Sequence, residues 1–121
     1  VKLGNVLVLE DEPFISLDME EMLKEFGAAS VTSLDTRADA LAWLAVNTPD
    51  LAVVDPRVND GLCTDVVEAL AQMKVPFVVY SGADVDQSDV AAEAFSAGEW
   101  LSKPTMPEIM AEVLGRATAG R

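Results

Sequence analysis

Blocks of apolar residues with no polar interruption recur along the chain: Val6-Leu7-Val8-Leu9, Leu51-Ala52-Val53-Val54 and Phe77-Val78-Val79-Tyr80. A strand with one face in water alternates apolar and polar residues. A run with no alternation predicts a strand covered on both faces. Between these runs the period changes to that of a helix. From Pro13, the residues Ile15, Met19, Met22, Leu23 and Phe26 fall on one helical face, and Gly27 stands where a helix closes. A weaker strand is expected around Ala29 to Thr32. A helix should follow from near Asp35, with Ala40, Leu41, Leu44 and Ala45 inward, ending before Asn47-Thr48-Pro49. Trp43, off that inward stripe, is expected to be partly exposed.

The second half repeats the scheme. The strand at Leu51–Val54 ends in Asp55. A loop from Pro56 to Gly61 leads into a helix through about Gln72. The strand Pro76 to Tyr80 ends in Ser81-Gly82. A helix is expected over about 86–96, stopped by Gly98, and Trp100-Leu101 forms a short last strand ending in Ser102-Lys103-Pro104. Thr105-Met106-Pro107-Glu108 has capping-box spacing for a final helix. Five strand–helix units result. Parallel neighbours need right-handed crossovers, which place helices on both sheet faces. The expected class is α/β, a doubly wound five-stranded parallel sheet, with residues 1–121 as a single domain.

Charge narrows the partners. Acidic residues outnumber basic ones 21 to 8, for a net charge of -13. Such a surface repels nucleic-acid phosphates and anionic membranes. No apolar run reaches transmembrane length. The single cysteine, Cys63, excludes an internal disulfide and fits a reducing, cytoplasmic compartment. There is no histidine. A metal would therefore be bound through oxygen, which favours a hard cation such as Mg2+.

Ligands of doubly wound sheets bind at the carboxyl ends of the strands. Those ends carry Glu10-Asp11, then Asp55, then Ser81, then Lys103. Carboxylates held together repel unless a cation neutralises them. A carboxylate beside bound Mg2+ can attack phosphorus and form an aspartyl phosphate. An amine and a hydroxyl would stabilise the oxygens of the transferred group. Glu12, next in the acidic run, is assigned to solvent or to the start of the helix.

In order, the motifs are L-E-D-E-P, V-V-D, Y-S-G and W-L-S-K-P. Together they resemble the receiver domain of two-component response regulators, over nearly the whole chain. The resemblance implies a flavodoxin-like (β/α)5 fold with strand order 2-1-3-4-5. It implies that Asp55 is the phosphoacceptor. Glu10, Asp11, Asp55 and the backbone carbonyl of Arg57 would hold Mg2+. Ser81 and Lys103 would contact the phosphoryl group, and Ser81 and Trp100 would act as the switch pair. The remodelled face would be that of the fourth helix, fifth strand and fifth helix. The Lys103-Pro104 bond is expected to be cis. The donor would be a histidine kinase or phosphotransfer protein, and the target an output domain or downstream protein. On this view the chain is not an enzyme with a free substrate; it catalyses only its own phosphorylation and dephosphorylation. It would be a stand-alone receiver or a piece of a longer regulator.

Three features depart from the usual pattern. Glu10 is one methylene longer than the usual Asp. Pro56 follows the acceptor and lacks an N–H. Arg57 is a bulky cation beside the acceptor, and is expected to pair with Glu10 or Asp11 when no metal is bound. Two rivals remain. An Mg2+-dependent aspartyl-phosphate phosphatase would commonly carry a second acid where Arg57 stands. A non-phosphorylated, receiver-shaped interaction module would not need the acid, hydroxyl and lysine set. A nucleotide-binding flavodoxin-like protein is disfavoured by the acidic loop after the first strand, which has no glycine-rich cradle.

Overall fold

The computed structural model describes residues 3–81, 98–102 and 106–118, without the side chains of Ser81 and Ser102. In chain order the elements are β1 (Gly4–Leu9), α1 (Pro13–Glu25), β2 (Ala28–Leu34), α2 (Arg37–Leu44), β3 (Leu51–Val54), β4 (Arg57–Val58), β5 (Gly61–Leu62), α3 (Thr64–Gln72), β6 (Phe77–Ser81), β7 (Glu99–Ser102) and a C-terminal helix, α4 (Pro107–Thr118). The expected helix over 86–96 and the Lys103-Pro104 bond lie outside the described residues.

Five strands form one parallel sheet in the order β2-β1-β3-β6-β7. This is the expected 2-1-3-4-5 order once the short β4–β5 pair, a separate two-stranded sheet, is set aside. The order reverses at β1, between β2 and β3, which opens a crevice at the carboxyl ends there.

The unbroken apolar strands are explained by period-2 burial. Leu7, Leu9, Ala52, Val54, Phe77 and Val79 pack on the side of α2 and α3. Val6, Val8, Leu51, Val53, Val78 and Tyr80 pack on the side of α1 and α4. Each strand therefore needs apolar residues at successive positions. On α1, Met19 and Leu23 are buried, with Ile15, Met22 and Phe26 partly buried on the same face. Pro13 begins the helix, and Gly27 follows it at φ 101, a left-handed conformation that costs glycine little.

Two expectations need correction. The helix α2, expected from near Asp35, starts at Arg37, with Thr36 as its cap accepting the Asp39 amide at 3.1 Å. Ala45 is exposed rather than inward, since the helix ends at Leu44. The loop after Asp55 is not irregular throughout. It forms the hairpin β4–β5, with Arg57 opposite Leu62 and Val58 opposite Gly61. Trp43 is partly exposed, as expected, and leans on the α2–α3 side of the core.

Cys63 begins α3 as its capping residue and is fully buried. Burial, with Asp55, Asp65 and Asp60 nearby, pushes its thiol up to about 12 from 9.0. The native thiol should therefore be inert to Ellman's reagent at mildly alkaline pH and react only on unfolding. The unfolded chain loses this proton near 9 while the folded chain keeps it to about 12. Stability should therefore fall as pH rises through that window, by up to about 1.4 kcal/mol per pH unit. Urea titrations of the parent and Cys63→Ala, compared across the window, measure it; equal pH slopes would contradict it.

Candidate functional site

The site follows from strand register. Val8 pairs with Val53 and Leu9 with Val54. The next residues along these parallel strands are Glu10 and Asp55. The Asp55 amide donates to the Leu9 carbonyl at 2.8 Å, and the Glu10 amide to the Leu34 carbonyl at 3.0 Å. By the two-residue period, Glu10 continues the Val6–Val8 face and Asp55 the Leu51–Val53 face, which are the same side of the sheet.

Both acids are buried: Glu10 is 5% exposed and Asp55 8%. Asp11 is half-buried beside them. One carboxylate oxygen from each of Glu10, Asp11 and Asp55 lies within 4.8 Å of the other two. An all-oxygen donor set of this size fits a hard divalent cation. Glu10 Oε1 accepts the Glu12 amide at 3.0 Å, and Asp55 Oδ1 accepts the Arg57 amide at 3.0 Å. Each buried acid thus braces the backbone two residues on. Among the described residues, no buried side-chain nitrogen or oxygen lacks a partner. Outside the acids, a cleft of about 400 Å3 is lined by Glu10, Asp11, Pro13, Ser16, Ser33, Leu34, Asp35 and Asp39.

The residues singled out from sequence divide into three groups. Glu10, Asp11 and Asp55 come together. Trp100 lies on β7 opposite Val79, half-buried against the α2–α3 side of the core. Ser81 ends β6, opposite Ser102 in register; its side chain, and Lys103, lie outside the described residues. Glu12 is exposed at the cap of α1, as expected. Arg57 departs from expectation. Its side chain is exposed and, among the described residues, forms no ion pair with Glu10 or Asp11. The hairpin fixes its backbone toward Asp55 while the side chain remains in solvent. Pro56, which lacks an amide, leaves that contact to Arg57 and is itself buried, its carbonyl accepting the Cys63 amide at 2.9 Å.

One feature was missed in the sequence. Asp60, in the turn of the hairpin, accepts the Arg37 amide at 2.7 Å on Oδ1 and the Ala38 amide at 3.1 Å on Oδ2. Arg37 returns bonds to the Asp60 carbonyl at 3.3 Å and to Asp65 at 2.7 Å. The Arg37 amide, chief among these donors, holds the Asp60 carboxyl below its usual range. Its stabilising effect is present above the unfolded value near 3.8 and lost as pH falls through the lower folded value. The Asn59-Asp60-Gly61 run signals the turn but not the helix it caps.

A family model for the response regulator receiver domain matches residues 6–114, most of the chain. The chain belongs to the response regulator receiver domain family of two-component systems. It is similar to the transcriptional regulatory protein PdtaR of Mycobacterium tuberculosis, 32% identical over 104 residues, covering 82% of this chain and 49% of PdtaR. The sensory transduction protein LytT of Enterococcus faecalis is 27% identical over 116 residues, covering 94% of this chain and 48% of LytT. The chain thus spans about half the length of these curated relatives. Among solved structures, SdrG from Sphingomonas melonis Fr1 superposes with a TM-score of 0.82 at 32% identity, covering 95% of this chain and 96% of SdrG. The receiver domain of the sensor histidine kinase PA1611 from Pseudomonas aeruginosa PAO1 superposes with a TM-score of 0.82, covering 95% of this chain and 97% of its own. At 18% identity it shares the fold, and that protein holds a magnesium ion in its active-site cleft. Among the described residues of this receiver, no helix is long and apolar enough to cross a membrane.

The charge cluster has a measurable cost. Without a divalent ion, Asp11→Asn should stabilise the protein by about 1 kcal/mol, the scale of one like-charge contact at about 4 Å in water, because Asp11 is partly exposed. The same substitution should blunt the rise in melting temperature on adding Mg2+. Urea unfolding and calorimetry with and without Mg2+ check both. A less stable variant with an unchanged Mg2+ response would contradict the shared site.

Proposed function

We propose that this receiver accepts a phosphoryl group on Asp55 from a histidine kinase or phosphotransfer protein, in a reaction that requires Mg2+. The observation that carries the proposal is the placement of Asp55. It is a buried carboxylate at a strand end, clustered with Glu10 and Asp11 and contacted by the Arg57 amide. The chain has no histidine, so the phosphohistidine donor is another protein or domain.

Glu10, Asp11 and Asp55, with the Arg57 carbonyl, would hold the ion. When bound, Mg2+ neutralises the clustered carboxylates and the phosphoryl oxygens. One Asp55 oxygen attacks phosphorus, the donor's N–P bond breaks, and the imidazole leaves with its electron pair. The Arg57 N–H and the Ser81 hydroxyl donate toward the acyl phosphate, and the Lys103 ammonium balances its charge. Hydrolysis returns the carboxylate and free phosphate, so the protein catalyses only its own modification. The Ser81–Trp100 pair would pass the change to the face around β7 and α4. A partner preferring one state then reads the switch. The single buried thiol suits a cytoplasmic setting for this exchange.

Acetyl phosphate with Mg2+ should add the mass of one phosphoryl group, located at Asp55 by peptide mass spectrometry. Asp55→Asn should take up none, and Lys103→Ala should react at least about tenfold more slowly. A parent protein that gains no mass would mean an interaction module, and sustained turnover of phosphomonoesters would mean a phosphatase.

A further inference from the structure

Outside the acid cluster, the densest polar contact among the described residues joins the hairpin after Asp55 to the start of α2. The Asp60 carboxylate caps that helix with both oxygens, at 2.7 and 3.1 Å from the Arg37 and Ala38 amides. Anions at a helix N-terminus are held by its orphan amides and its dipole. Arg37 closes the contact through the Asp60 carbonyl and reaches Asp65 on α3 at 2.7 Å. Asn59 adds a long bond to the Asp35 carbonyl at 3.4 Å. The side chains of Arg37, Asp60 and Asp65 are between 32% and 40% exposed, so the ion pairs alone contribute little. The bonds from carboxylate to backbone amides are the stronger element.

This clasp has a second consequence. The helix α2 already has its own cap in Thr36, so it does not depend on Asp60 to begin. What Asp60 fixes is the hairpin. A two-residue pair such as β4–β5 is too short to hold itself. It is anchored at one end by Asp55 Oδ1 on the Arg57 amide and by the Cys63 amide on the Pro56 carbonyl, in the middle by Val58, buried in the core, and at its turn by the clasp.

We infer that Arg37 and Asp60 are positioning residues for the acceptor: they clamp the β4–β5 hairpin onto α2 and so hold the Arg57 backbone against the Asp55 carboxylate. They touch neither the phosphoryl group nor the ion. Without them the hairpin opens and the Arg57 amide leaves Asp55 for part of the time. The effect on phosphorylation rests on the role proposed for Asp55; the effect on the hairpin does not.

Two readouts separate these. The first is amide hydrogen exchange by NMR on the full chain. Asp60→Ala should speed exchange at the Arg57 amide by about tenfold or more, as expected for local opening, and Arg37→Ala, which keeps the backbone amide that Asp60 accepts, should speed it by less. Asp60→Asn keeps one of the two acceptor oxygens and should restore part of the protection. Thr36→Ala removes the cap of α2 without touching the hairpin. It should lower the melting temperature while leaving Arg57 protected. The second is the rate at which acetyl phosphate and Mg2+ modify Asp55, read well below every melting temperature. Asp60→Ala should slow it by about tenfold, the scale of a misplaced contact group, and Arg37→Ala by less. Asp60→Asn should recover part of the rate, and Thr36→Ala should match the parent. Unchanged Arg57 exchange in Asp60→Ala and Arg37→Ala would overturn the inference, as would equal effects from Thr36→Ala. If the parent takes up no phosphoryl group, the proposed function fails, and the exchange experiment alone decides the clasp.

Discussion

The parallel register of β1 against β3 sets the position of the two buried acids at the site. With Leu9 beside Val54, the first residues past the two strands are Glu10 and Asp55. Both stand on the side of the sheet covered by α1 and α4. A slip of one residue in either strand would turn one acid to the opposite side, and would also expose or misplace every apolar side chain of that strand. The core therefore enforces the site. Leu7 and Leu9 must face α2 and α3 while Val6 and Val8 face α1 and α4, and only one register satisfies both.

That constraint works against the electrostatics. Two buried carboxylates and a half-buried third within 4.8 Å repel one another. The protein offsets part of this with backbone amides. Glu12 and Arg57 each donate to an acid two residues earlier, which holds the acid's rotamer and gives its charge a partner. The hairpin matters because the second of these amides lies on it. A loop free to move would lose the amide. A loop tied to α2 keeps it, and the tie is made by side chains outside the ion cluster.

Most of the fold was legible because the inner strands β1, β3 and β6 are buried on both faces. A run such as Leu51–Val54 carries no periodicity that competes with the strand assignment, and its length excludes a helix. Helix α1 was legible for the opposite reason: its apolar period is clean from Ile15 to Phe26, with proline at the start and glycine at the end. The acids were legible because strand ends in a doubly wound sheet share one edge. The misses are local or long-range. The start of α2 was placed only to within two residues, because Asp35 and Thr36 are both good capping residues and the Thr36 hydroxyl makes the bond. The hairpin itself has two residues a side, too few for an alternating pattern. Asp60 reaches α2 across more than twenty residues of sequence, and no local spacing reports that contact. Arg57 was expected to turn to the acids because it is the nearest cation in sequence. Its backbone, not its charge, makes the contact.

The most direct measurement is paramagnetic. Mn2+ substitutes for Mg2+ at hard oxygen sites and broadens the NMR signals of nearby nuclei. If the register gathers Glu10, Asp11 and Asp55 around one ion, substoichiometric Mn2+ should first erase the amide signals of residues 9–12 and 54–58 and spare those at the amino ends of β1 and β3. Broadening centred on the exposed acids of α1, or spread evenly over the acidic surface, would contradict a built site at the strand ends.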